Sequence, residues 1–164
     1  MKKTLVSLVV LVALAGIGLW QFSGSAKAAP DVTFVSLSGQ KITPQDLRGK
    51  VVLVKFWATD CVTCIQQMPD MIKTYDALAP KGFEAIAVAM QYDPPNYVKN
   101  YAETRKLPFP VAIDAQGQIA KAFGDIRLTP TAFLIDKQGH IIKRYLGNYD
   151  KTAFLNTVEK ALAS

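Results

Sequence analysis

Two nearly continuous apolar runs, the β-branched Val51–Trp57 ("VVLVKFW") and Phe83–Met90 ("FEAIAVAM"), bracket a stretch with helical spacing. A strand apolar at every position, rather than at alternate ones, is buried on both faces, as in parallel sheets covered by helices. Between the runs, from Cys61 to about Leu78, the residues Ile65, Met68, Ile72 and Tyr75 fall on one stripe, so the unit reads βαβ. Pro69 lies inside that stripe and is expected to kink the helix without ending it, because the period continues beyond it. A single lysine, Lys55, interrupts the first run.

The flanking segments extend this unit. "DVTFVSLSGQKIT", from Asp31, predicts two short strands around a Ser38-Gly39 turn. "TPQDLRGK" predicts a short helix capped by Thr43, with Pro44 at its first position and Gly49 as its stop. After Pro94-Pro95 come a helix over Asn96–Lys106, a strand over Phe109–Asp114 and a short helix over Gln118–Phe123. Thr131–Asp136 and His140–Leu146 predict a hairpin, and Asp150–Ala163 a closing amphipathic helix. The fold class is therefore α/β: a central mixed sheet flanked by helices, with an N-terminal β-hairpin extension and an αβ insertion.

Residues 1–29 read as a targeting segment ahead of one domain over 30–164. Lys2-Lys3 precede an apolar stretch from Leu5 to Trp20, and Ala26-Lys27-Ala28 offers an A-x-A cleavage pattern. The apolar run is long for a cleaved signal and short for a full span, so signal peptide and retained membrane anchor both stay open. Either way the leading lysines place the domain outside the cytosol: periplasmic, or anchored to the inner membrane facing the periplasm. Three of the 19 basic residues lie in this leader, leaving 16 against 13 acidic ones, about +3. So mild and scattered a charge argues against a nucleic-acid partner.

The only two cysteines are Cys61 and Cys64, spaced C-x-x-C directly after the first buried strand. Disulfides persist outside the cytosol, but a bridge over two residues closes almost no loop and stabilises little. A structural zinc site needs four ligands, and only His140 remains to help. Two thiolates and His140 would suit copper(I), provided the hairpin brought the imidazole to the cysteines. An inert buried pair is the third option. Thiol–disulfide exchange has the fullest mechanism. Cys61 at the helix N-terminus gains from its free N–H groups and dipole, and Cys64, one turn further in, resolves the mixed disulfide.

"VVLVKFWATDCVTC" (Val51–Cys64), taken with Thr129-Pro130-Thr131 in "LTPTAFLIDKQG", resembles the thioredoxin-like family, specifically its exported TlpA/ResA-type members. The likeness runs from Asp31 to the C-terminus. It implies disulfide reduction in exported proteins such as apocytochrome c, with electrons from a membrane thiol reductase and no cofactor. It also implies a cis Pro130 facing the cysteines, Thr129 offering its backbone to an extended substrate, and Trp57 at the same surface. Peroxiredoxins share the fold, but they want a threonine where Ala58 stands, three residues before Cys61.

Four residues mark departures from that pattern or gaps in it. Asp60 stands where the family has tryptophan; its carboxylate is expected to disfavour the Cys61 thiolate, to cap the helix, or both. Thr63 replaces a proline and adds an N–H and a hydroxyl. Lys55 sits where thioredoxin has a buried acid. It is expected to reach the surface or pair with an acid; buried, it would act as an amine base or steady a Cys64 thiolate. Asp93 is the candidate for the acid role, or else a turn residue before Pro94-Pro95.

Overall fold

The computed structural model describes residues 27–164, so the leader expected over residues 1–29 lies outside the described residues as far as Ala26. The hairpin at the start is β1 (Phe34–Val35) against β2 (Lys41–Ile42). The βαβ unit follows as β3 (Val51–Trp57), α1 (Val62–Leu78) and β4 (Phe83–Ala89). The insertion is α2 (Pro95–Thr104) and β5 (Val111–Ile113), followed by α3 (Gln118–Ala122). Then come β6 (Thr131–Ile135), β7 (Ile141–Leu146) and α4 (Lys151–Ala163).

The main sheet has the order β5-β4-β3-β6-β7. β3 runs parallel to β4, and β4 to β5, while β6 and β7 are antiparallel to their neighbours. All seven residues of β3 are buried, as an apolar run without alternation requires. Val51, Leu53 and Trp57 pack with Cys64, Met68, Phe154 and Val158 on the face covered by α1 and α4. Val52, Val54 and Phe56 face the other way, against Phe123, Ile126 and Phe133. Each such side chain contributes roughly 1.5–3 kcal/mol by leaving water, so β3 is the axis of both cores.

α1 buries Cys64, Met68, Met71 and Leu78, and half-buries Ile65, Ile72 and Tyr75. It passes through Pro69 unbroken. Losing one N–H in mid-helix is offset by that packing, since most helical stability in proteins is tertiary.

The helix expected after Thr43 does not form. Residues 44–49 are turns, with N–H groups of Asp46, Leu47 and Arg48 reaching back only three residues. The Asp46 carboxylate takes the Thr43 N–H and hydroxyl at 2.8 and 2.6 Å, closing the turn on itself. That clasp and the three-residue reach of the N–H groups hold the segment as successive tight turns instead of an α-helix.

Candidate active site

β3 ends at Trp57, and the chain needs only a short loop to enter α1. Cys61 is the N-cap of that helix, with extended backbone angles, and its Sγ accepts the Cys64 N–H at 3.2 Å. A sulfur in this place receives the unpaired N–H groups and positive dipole end that stabilise a thiolate. Cys61 and Cys64 are joined as a disulfide, with Cα atoms 5.2 Å apart. Cys61 keeps partial exposure, whereas Cys64 has none. The two sulfurs therefore divide into one that meets a partner and one that meets only the first.

Because the cap position belongs to Cys61, Asp60 does not cap the helix; it is exposed just outside it. The reason is one of count: the Cys61 backbone already leads into the first turn and its sulfur takes the N–H an Asp cap would claim. Thr63 is half-buried in the first turn.

Asp93 follows the end of β4, beside the end of β3, because Trp57 and Ala89 are register partners. Its carboxylate is buried and accepts the Thr59 N–H at 2.7 Å and the Thr59 hydroxyl at 2.5 Å. Its own N–H donates to the Met90 carbonyl, so it is a turn residue as well. Both oxygens face the loop leading to Cys61, and their reach is to Thr59.

Pro130 is buried and its bond to Thr129 is cis. Thr131 pairs with Phe56, which brings Thr129–Pro130 beside the end of β3 and the loop to Cys61. The Thr129 hydroxyl lies 3.3 Å from the Tyr92 hydroxyl. Among the described residues Val62 and Leu128 are the most exposed large apolar side chains, at 70% and 64%, one following Cys61 and the other preceding Thr129.

Trp57 needs correction as a substrate residue. It has no exposed surface, and its indole packs against Tyr101 with centroids 5.3 Å apart. As the last residue of a strand buried on both faces, it supports the loop from beneath.

Lys55 corrects a second expectation, since it neither reaches the surface nor pairs with an acid. It is fully buried on the Cys64 face, and its Nζ donates to Gln67 Oε1 at 2.8 Å. Burial pushes its ammonium down to about 8. Gln67, which the sequence did not single out, in turn donates to the Gly147 carbonyl and Asn148 Oδ1, both at 3.2 Å.

His140 cannot join the cysteines. It precedes β7 beside the Ile135–Ile141 pair, at the end of the sheet where β3 begins. A seven-residue strand separates it from Cys61, about 20 Å. Its imidazole lies 3.6 Å from Asp136 instead. Among the described residues, no group of three or more His, Cys, Asp or Glu side chains converges on a metal site, and the copper reading is withdrawn. Ala58 is fully buried and offers Cys61 only a backbone carbonyl, at 3.2 Å from its N–H, so no hydroxyl stands at the position a peroxidase would use.

Comparison with known proteins agrees with this geometry. The family model described as Redoxin matches residues 24–162. The chain is 42% identical over 125 residues to the thiol–disulfide oxidoreductase ResA of Bacillus thuringiensis subsp. konkukian, covering 76% of this chain and 71% of that protein. It is 33% identical over 161 residues to the thioredoxin-like protein YneN of Bacillus subtilis, covering 92% and 94%. A thiol:disulfide interchange protein of Chlorobium tepidum, of known structure, superposes with a TM-score of 0.77 at 30% identity, covering 85% and 99%.

Proposed function

We propose, from the premise that this chain belongs to the Redoxin family and is a thiol–disulfide oxidoreductase, that it reduces disulfides of exported proteins such as apocytochrome c. The observation that carries the reading is the asymmetry of the pair: Cys61 caps the helix, accepts the Cys64 N–H and is partly exposed, and Cys64 is sealed behind it. In the reduced enzyme the Cys61 thiolate attacks one substrate sulfur, and the other leaves as a thiolate. That released thiolate takes up the Cys64 proton, and the Cys64 thiolate attacks Cys61 Sγ. That step forms the Cys61–Cys64 disulfide, breaks the mixed disulfide and releases the second substrate thiol. Two electrons pass to the substrate, and exchange between sulfurs needs no cofactor.

Thr129 and Pro130 form one wall of the substrate cleft, with the Thr129 backbone available to an extended chain. Asp60 and Thr63 tune Cys61. A membrane thiol reductase returns the electrons. The leader acts as an anchor that stays attached. Lys27 and Ala28 are tied to the domain, since the Lys27 carbonyl accepts the Ile141 N–H at 2.8 Å and Ala28 forms an isolated bridge with His140. Cutting after Ala28 would remove both.

The test is reduction of a synthetic peptide closed by an intramolecular Cys-x-x-Cys disulfide, with the reduced protein as stoichiometric donor. Wild type should reduce it, Cys61→Ser should not, and Cys64→Ser should stall as a mixed disulfide. A reduction potential well below about −200 mV accompanies a reductase, and one near about −120 mV would overturn the direction. Peroxide consumption without peptide reduction would overturn the reading altogether.

A further inference from the structure

Lys55 is buried without a counter-ion, yet the exchange of sulfurs assigns it no task. Its register partners are Ala87 on β4 and Ala132 on β6, whose small side chains leave room for its stem. Among the described residues no carboxylate pairs with it, and its ammonium meets the Gln67 side-chain carbonyl. An ammonium has donors and no acceptor. Gln67 must therefore turn its oxygen toward Lys55 and its NH2 away. That NH2 finds two acceptors, the Gly147 carbonyl and Asn148 Oδ1. The Gly147 N–H then donates to the Pro130 carbonyl at 2.9 Å. A continuous series of hydrogen bonds thus runs from β3, through the helix that carries the cysteines, to the proline loop. An apolar side chain at position 55 would be easier to bury but would leave the amide free to choose either orientation.

We propose that Lys55 and Gln67 are positioning residues that fix the gap between the Cys61–Cys64 helix and the Thr129–Pro130 loop, and so set affinity for a polypeptide disulfide. The inference rests on the reading of Thr129–Pro130 as a cleft wall. Lys55 acts through Gln67, and Gln67 acts through Gly147, so neither residue touches the substrate.

Gln67→Glu separates the two halves of the link. It keeps an acceptor for Lys55 and presents oxygen to two groups that are themselves acceptors. Lys55→Met removes the other end. With each reduced protein as stoichiometric donor and the Cys-x-x-Cys peptide disulfide in excess, the experiment measures the half-saturating peptide concentration and the limiting oxidation rate, here KM and kcat. Alongside it are measured the two successive thiolate releases when each reduced protein meets 5,5′-dithiobis(2-nitrobenzoate), a small disulfide that does not span the cleft. Both variants should raise KM about 5–10-fold, the worth of one or two net hydrogen bonds, with kcat and both releases within about 2-fold. In Gln67→Glu, the Gly147 amide should also exchange with deuterium about 10-fold faster, a reading that stands if Lys55→Met fails to fold. Leu128→Asp, beside Thr129 on the rim, serves as control. Raised KM in Leu128→Asp but not in Gln67→Glu overturns the positioning role while leaving the cleft in place. Unchanged KM in both overturns the cleft reading and this inference with it. A slowed second release would place Lys55 on Cys64 directly and overturn the proposal.

Discussion

Asp93 grips Thr59 twice, by its backbone N–H at 2.7 Å and its hydroxyl at 2.5 Å, across 34 residues of sequence. The grip ties the turn after β4 to the loop that delivers Cys61 to its helix. Hydrogen bonds to a buried charged group are worth about 1.5–3 kcal/mol each, more than neutral ones. Asp93→Ala should therefore destabilise the oxidised protein by about 3 kcal/mol, and Thr59→Val by about 1.5 kcal/mol, in urea unfolding. Equal and negligible losses would show that the loop is held by something else.

Lys55 imposes a pH dependence whose sign is fixed. Its ammonium titrates at about 8 when folded and at 10.5 ordinarily. Below pH 8 both states hold the proton and the full burial penalty is felt. Between those values the unfolded chain binds more protons, so stability rises with pH, by on the order of 3 kcal/mol in all. Lys55→Met should lack this rise and be the more stable protein at pH 7. Parallel stability curves for the two proteins from pH 7 to 10 would contradict this.

The reduced pair should react unequally. Iodoacetamide should label Cys61 at least ~10-fold faster than Cys64, because only the first is both partly exposed and set at the helix N-terminus. Peptide mass spectrometry at short times reads the ratio directly, and equal labelling would remove the assignment of roles.

Asp60 is exposed beside the nucleophile, so its influence on Cys61 is a screened charge effect. Two such charges interact by about 1 kcal/mol in water, a factor of roughly 5. Asp60→Asn should accelerate Cys61 alkylation at pH 6 by about 2–5-fold, and 1 M salt should shrink the gain. A gain that survives salt would point to a change in loop shape instead.

The frame of this molecule was legible because it rests on local pattern. β3 and β4 are apolar runs, α1 is a stripe, and the cysteines and Thr129-Pro130 are short motifs; each lies where those patterns put it. What escaped depends on partners distant in sequence. Nothing near Lys55 says that two alanines on flanking strands will make room for it, or that a glutamine twelve residues on will meet its amine. Register decides both. The same holds for Trp57, whose position at the end of a buried strand hides it, and for His140, which the hairpin carries to the wrong end of the sheet. The Thr43 segment departs for a local reason: the Asp46 carboxylate clasps Thr43 and the N–H groups of residues 46–48 reach back three residues, which makes tight turns where a helix was expected.

The pairing of Lys27 and Ala28 with the start of β7 has a mechanical consequence. The leash, if anchored, leaves the domain from the pole where β3 begins, whereas the sulfurs sit where β3 ends. At rest the sulfurs would face away from the bilayer, toward clients in the surrounding space. Under the anchored reading proposed above, recharging from a donor within the bilayer requires the whole body to turn over, so donor and client take turns at one site.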